Sequence, residues 1–384
     1  MPSRAMLRFR SSAQSLESHL AQGRIDGDEL LELAVSEWRL AMLRDERFRN
    51  FGTLSYLLEV AHNRLDTRPT EAHELTSAVM AFVDSATAPS HVSEISVRAL
   101  ARKEHANSLR VMGDIRSALK HVDEALALYA QVGSLEYQGA KALLAKAVIL
   151  REMGEADAAI TIARECARLF RRYGDSGYLV ISKMVEGAIL NNRKQYRAAM
   201  NIFVELAEEA ERNGDISTLA RALKNTASCA RELGDIPAAR DLFTRSLPLF
   251  EQAGLATEIP RVRWGLALCL AVDGRISEAV SELYLTRALY LHLGMNLDAA
   301  TASLDIVRIK LMDGQPVAQL CAELVATFAN AGMAQNAIEA LAYLREQARS
   351  ERLSMPKVDR VREYLGELQQ RPRLLFLRPQ EEDE

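Results

Sequence analysis

Through the middle of this chain, apolar residues recur at helical spacing in blocks of roughly 16–18 residues, each closed by a polar break. The segments "VMGDIRSAL", "EMGEADAAI", "ELGDIPAAR", "VDGRISEAV" and "MDGQPVAQL" place glycines at positions 113, 154, 234, 274 and 314. "NNRKQYRAA" puts Lys194 at the same place in the series, which fills its one gap and leaves the spacing even. A second series, Gly133, Gly174, Gly214, Gly254 and Gly294, falls midway between members of the first, and Gly332 follows Gly314 in the same manner. The pattern predicts helix, turn, helix, turn, with a period of about 40 residues. Each helix would be about 25 Å long at a rise of about 1.5 Å per residue.

Small residues keep the same period. Ala118, Ala159, Ala199, Ala239 and Ala279 stand five residues after the first-series position. Ala106, Ala147, Gly187, Ala227 and Ala267 stand seven before it. Such positions let two helices cross closely, with Ile115, Tyr196, Ile236 and Ile276 packing into the seam. Glycine ends a helix in the left-handed conformation at no steric cost. Asp114 and Asp235 then fit as N-caps of the next helix. The recurring glycine-acid step is therefore a corner of architecture. A phosphate loop would follow a strand and carry G-x-x-x-x-G-K-[ST] or G-x-G-x-x-G, and neither pattern is present.

The ends break the rhythm. Residues 27–45 read as one amphipathic helix with Leu30, Leu31, Ala34, Trp38 and Met42 on its apolar stripe, and 49–65 and 69–87 as a helix pair with Pro69 opening the second. Helices over 334–349 and 356–369 close the other end, and Pro248 is expected to bend the helix 236–252. The organisation expected is a partly flexible segment 1–26, a helical cap 27–90 with a degenerate repeat, six helix pairs over 91–333, capping helices over 334–370 and an acidic tail 371–384.

Composition narrows the chemistry. The 384 residues carry a formal net charge of −4, and only 6% are aromatic. Bulk charge therefore points to no polyanion partner. Cys166, Cys229, Cys269 and Cys321 lie inside apolar helical runs with no C-x-x-C pair, which reads as buried thiols in a reducing, cytoplasmic setting. No stretch has the roughly 20 apolar residues of a membrane span. The seven histidines are scattered, and no zinc spacing or G-x-S-x-G elbow appears, so no catalytic set, metal or cofactor is expected.

The recurring signature is a small residue in a first helix, a glycine-acid turn seven residues on, and an alanine five residues into the second helix. "ANSLRVMGDIRSALKHVDEALALY" (106–129) and "ASCARELGDIPAARDLFTRSLPLF" (227–250) are clear instances. Over residues 91–350 the chain resembles the tetratricopeptide repeat (TPR) superfamily. Its long period is similar to the variants in kinesin light chains, MalT-type regulators and Rap-type bacterial peptide receptors. The resemblance implies an all-α, right-handed superhelical solenoid of antiparallel helix pairs. In the sixth unit Gln319 and Pro316 replace the alanine and the seam residue, so that unit should pack less regularly.

The resemblance also implies that first helices line a concave face. Counting back from each turn places Lys103, Asn107, Arg110, Lys141, Arg151, Asn191, Arg221, Lys224, Arg231, Arg261, Trp264 and Arg308 there. The set is basic in an acidic chain, so the acids are expected on the convex side and at the ends. A basic groove suits an acidic peptide or a free carboxylate. Lys103 and Asn107 resemble half of a carboxylate clamp, completed by nothing at Ala145, Ile181 or Val185. Trp264 is either an aromatic anchor or inter-repeat core, with core favoured. The acidic tail Glu381–Glu384 could fold onto the groove. The leading expectation is a non-enzymatic scaffold for a protein or peptide, the alternative a peptide-responsive regulatory sensor. Nucleic acid is not the expected partner: the face lacks a regular base-stacking series, and residues 1–90 lack a compact recognition helix. No oligomeric state is assigned.

Overall fold

The computed structural model describes residues 4–85, 92–331, 333–370 and 374–378. Among them are eighteen α-helices and no strand. Six pairs form the array: α5 (Val92–Val111) and α6 (Ile115–Ala130), α7 (Glu136–Glu152) and α8 (Ala156–Tyr173), α9 (Ser176–Asn192) and α10 (Tyr196–Asn213), α11 (Ile216–Glu232) and α12 (Ile236–Gln252), α13 (Ile259–Val272) and α14 (Ile276–His292), α15 (Asn296–Met312) and α16 (Ala318–Asn330). Before them come α1 (Arg4–Leu31), α2 (Trp38–Arg44), α3 (Phe51–Arg64) and α4 (Pro69–Ser85), and after them α17 (Gln335–Arg349) and α18 (Met355–Gln370). From α3 onward each helix packs on the next in the chain, giving a helical repeat solenoid, while α2 packs on α4. The first helices also touch one another, α5 with α7, α7 with α9, α9 with α11 and α11 with α13, so they form the inner layer.

The corner at Gly234 shows how the sequence makes the turn. The Asp235 amide donates to the Ala230 carbonyl at 2.9 Å and the Gly234 amide to Arg231 at 3.0 Å, with Gly234 at φ +85°. Those bonds satisfy the orphan carbonyls of α11. The Asp235 carboxylate then accepts the Ala238 amide at 3.1 Å and starts α12. Lys194 makes the same corner at φ +61°. All five second-helix alanines are fully buried, as are Ala106, Ala147, Ala227 and Ala267. Gly187 lies under the Phe203 ring, where an added Cβ would come within 2.6 Å of it. The four cysteines are free and buried.

The sixth unit departs as its sequence suggests. α16 begins four residues after Gly314 and has no side-chain cap, whereas α12 and α14 begin two residues after theirs. Pro248 sits inside an unbroken α12. Gly332 and the acidic tail residues 381–384 lie outside the described residues. Of the tail, residues 374–378 return to the last helices: the Leu374 carbonyl accepts from Asn336 Nδ2 at 2.8 Å and from the Tyr364 hydroxyl at 2.9 Å.

The N-terminal end corrects the sequence reading. Residues 27–45 are not one helix, and a helix runs through most of 1–26. α1 continues to Leu31, the chain breaks over 32–34, and α2 starts at Trp38. The break lets the Trp38 indole donate to the Leu33 carbonyl at 3.2 Å while the ring is 2% exposed. Gly23 and Gly27, which resemble breaks, lie inside α1 because it crosses α3 there. A Cβ on Gly23 would come within 2.3 Å of the Gly52 backbone, and one on Gly27 within 2.5 Å of Tyr56.

The solenoid also touches itself across a long stretch of sequence. Asp66, in the α3–α4 corner, accepts the Thr257 amide on its carbonyl at 2.9 Å and the Thr257 hydroxyl on its carboxylate at 3.2 Å. Arg221 of α11 donates to the same carboxylate at 2.6 Å. Thr70 donates to the Leu293 carbonyl at 3.4 Å. The cap therefore rests on units four and five as well as on unit one.

Candidate functional site

The inner layer carries the cations that the repeat phase places there, but its carboxylates are there too. Lys103 is 6% exposed and ion-paired with Glu104, itself 4% exposed. Arg110 and Arg151 share Glu152 at 3.0 and 2.9 Å. Lys224, Arg221 and Arg261 converge on Glu258 at 2.8, 2.9 and 3.2 Å. Arg231 pairs with Glu232 at 2.7 Å. Arg308 lies between Asp305 at 3.3 Å and Asp359 at 2.8 Å. The expectation that acids sit on the convex side and at the ends is therefore corrected. The groove is a mixed-charge surface.

The physical reason is local. An arginine or lysine drawn into a narrow inner layer loses water, and a nearby carboxylate offsets that loss. Most of the pairs were visible as sequence neighbours: Lys103–Glu104, Arg151–Glu152 and Arg231–Glu232 are adjacent, while Glu258–Arg261 and Asp305–Arg308 are one helical turn apart. The half-clamp at Lys103 and Asn107 is filled by the chain itself. Asn107 Nδ2 donates to Glu104 at 3.0 Å, and His62 Nδ1 lies 3.0 Å from the same carboxylate. Burial works to raise the Glu104 pKa, but Lys103 and His62 outweigh it and hold the carboxyl far below the usual range.

Charges also act across the layer. Burial works to lower the Arg261 pKa, yet Glu258, Tyr290, Asp298 of α15 and Glu152 of α7 together outweigh it. Asp298 is raised by burial, against the pull of Arg261. Glu152 joins units one and two through Arg110 and Arg151, and Glu258 joins units four and five through Arg221, Lys224 and Arg261, so the polar interior crosses unit boundaries. Asn191 accepts from the Cys229 thiol at 3.4 Å. Trp264 is partly buried, donates to Asp305 at 2.8 Å and meets Tyr290 edge-on. Lys141 is the exception among the cations, with its ammonium 4.5 Å from the ring centres of both Tyr137 and Tyr178.

The histidines are less scattered in space than in sequence. His73 of α4 stacks on His105 of α5 with ring centres 5.6 Å apart, and His121 of α6 meets His105 edge-on at 4.9 Å. Thr76 bonds to His105 Nδ1 at 3.0 Å. No sequence spacing announces this column, because it joins three different helices. Among the described residues no group of three or more His, Cys, Asp or Glu side chains is arranged to hold a metal ion, and no helix is long and apolar enough to cross a membrane.

No family model matches the chain, and no curated protein does. Solved structures do. NprR in complex with its cognate peptide NprX aligns at a TM-score of 0.58 and 13% identity, covering 83% of this chain and 88% of that one. The Rap conjugation gene regulator of plasmid pLS20, in complex with the Phr* peptide, aligns at 0.57 and 12%, covering 85% and 99%. Aspartyl phosphate phosphatase F from Bacillus subtilis aligns at 0.52 and 14%, covering 95% and 97%. The fold is a TPR-like solenoid. At these identities the likeness is one of architecture, and for phosphatase F it takes in 95% of this chain, so it reaches beyond the repeats.

Proposed function

We propose that this protein is a non-enzymatic TPR-like scaffold that takes a short peptide along its inner layer and acts as a peptide-responsive regulator. The observation that carries the proposal is the shared polar interior. Glu152 receives Arg110 and Arg151 from units one and two, and Glu258 receives Arg221, Lys224 and Arg261 from units four and five. An extended peptide presents alternating backbone donors and acceptors along its length, which a row of donors and carboxylates on parallel helices can read. Two of the similar solved structures hold peptides by their own descriptions, which supports the same use of the fold here. The mixed charge of the layer favours a peptide with both signs over the purely acidic one that the cations alone suggest.

The regulatory part rests on Arg221. Its guanidinium bonds both Glu258 of the inner layer and Asp66 of the cap. A ligand that recruits Arg221 or Glu258 would disturb the contact between cap and array, which is a route from occupancy to output. The test is selection of hexapeptides from a random display library on the full chain, followed by titration against wild type and Arg151→Glu/Arg261→Glu. Enrichment of a peptide class whose affinity falls at least about tenfold in the double variant is the expected result. Absence of any enriched class, or affinity indifferent to the variant, would move the function off the inner layer.

A further inference from the structure

The inner-layer cations differ in one respect that bears on ligand chemistry. Lys103, Arg110, Arg151, Arg221, Lys224, Arg231, Arg261 and Arg308 each hold a carboxylate of the chain. Among the described residues Lys141 holds none within 4 Å. The acids whose charge reaches it are already engaged. Asp175 caps α9 through the Tyr178 amide at 2.9 Å and accepts the Tyr137 hydroxyl, while Glu104 serves Lys103, His62 and Asn107.

The surroundings of Lys141 are fixed in place. Tyr178 stacks on the buried Phe170 at 4.9 Å, and Tyr137 meets the same ring edge-on at 6.0 Å. The ammonium lies 4.5 Å from each of the two tyrosine ring centres, on a half-buried side chain. Two cation–π contacts attract the charge, but ring faces take none of its three N–H donors in ordinary hydrogen bonds. Burial, and then the neighbouring charge of Lys103, lowers the Lys141 pKa from its ordinary value. A positive group held rigidly, partly desolvated and without a counter-ion is prepared for an anion.

We propose that Lys141, walled by Tyr137 and Tyr178, is the subsite that receives a carboxylate of the bound peptide, from an acidic side chain or from its free C-terminus. This rests on the peptide-binding reading above and names the one cation, of the nine that the repeat phase assigns to the inner face, that has no carboxylate partner among the described residues. A carboxylate fits better than a phosphate, because one ammonium balances one negative charge and Lys103 is already neutralised by Glu104.

The test uses the full chain with 13Cε-labelled lysine, the Lys141 resonance being assigned by its loss in Lys141→Gln. Three probes separate the sources: N-acetyl-leucine with a free terminal carboxylate, N-acetyl-leucinamide with none, and N-acetyl-aspartate methylamide with only a side-chain carboxylate. The Lys141 signal should move, and its titration midpoint rise, with one or both carboxylates but not with the amide. Whichever carboxylate acts identifies the source. Movement no greater than that of the exposed Lys120 would overturn the assignment. A second arm uses the library-selected peptides. Lys141→Gln should weaken carboxylate-bearing peptides about tenfold, and Lys141→Arg should retain them. Equal affinity for wild type and Lys141→Gln would overturn the subsite and leave peptide binding standing, whereas a library that yields no binder at all would remove the functional reading beneath it.

Discussion

At the α1–α3 crossing, a Cβ on Gly23 would lie 2.3 Å from the carbonyl carbon of Gly52, and one on Gly52 would lie 2.3 Å from the His19 carbonyl oxygen. At the corner of unit four, a Cβ on Gly234 would meet nothing within 4 Å, and the demand is a φ of +85°. In the cap, glycine is there because two backbones touch. At the array's corners, it is there because the chain turns through a conformation other residues enter only with strain. A torsional demand can be met by another residue at modest cost, as Lys194 shows at φ +61°. Contact between backbones leaves no side chain that could move aside.

That contrast sets an order of effects. Gly23→Ala should be the most damaging, destabilising the cap by about 3 kcal/mol or more, with loss of hydrogen-exchange protection confined to α1–α3. Gly265→Ala should come next, at about 1–3 kcal/mol, because its Cβ would sit 2.3 Å from the Phe243 ring, which can shift. Gly234→Ala should cost about 1 kcal/mol in urea unfolding, since only the torsion is strained. Lys194→Gly should raise stability, by less than about 1 kcal/mol. If Gly23→Ala proved as mild as Gly234→Ala, the two helices would cross with more room than a backbone contact leaves.

Acid sharpens the same comparison at the junction of cap and array. Burial lowers the pKa of His73 and His121 and takes His105 down to about 3, against an unfolded value of 6.5. The unfolded chain therefore binds more protons as pH falls below about 6.5, so the stability these groups confer is lost in that direction. His62 has the opposite sign, because Glu104 raises its pKa, and it stabilises the fold when protonated. Thermal unfolding should move down by a few degrees between pH 7 and 5, and His105→Gln should flatten that slope. A slope unchanged in the variant would place the pH sensitivity elsewhere.

The array was legible because its signals repeat. One glycine turn means little, but five in phase, three of them followed by an acid and with alanines keeping step on both helices, specify the corner and the crossing together. The cap has no such redundancy. The glycines at 23, 27 and 52 occur once each, and nothing nearby in sequence tells that α3 lies against α1. The inner face was half legible. Repeat phase placed the cations, and spacings of one and three residues would have supplied most of their carboxylates. What sequence could not supply was side-chain contact between separate helices: Asp66 with Arg221, His73 with His105, or Tyr178 beside Lys141.

The contact between Asp66 and Thr257 has a consequence for how the molecule forms. A stack of repeats grows by local steps, each new unit needing only the one beside it. This bond joins residues 191 positions apart, and it exists only once the intervening units are in register. A shifted or missing repeat leaves Asp66 facing the wrong partner. Closure at Asp66 is in effect a proofreading step, a check on the count of units that neighbour-by-neighbour assembly does not itself provide.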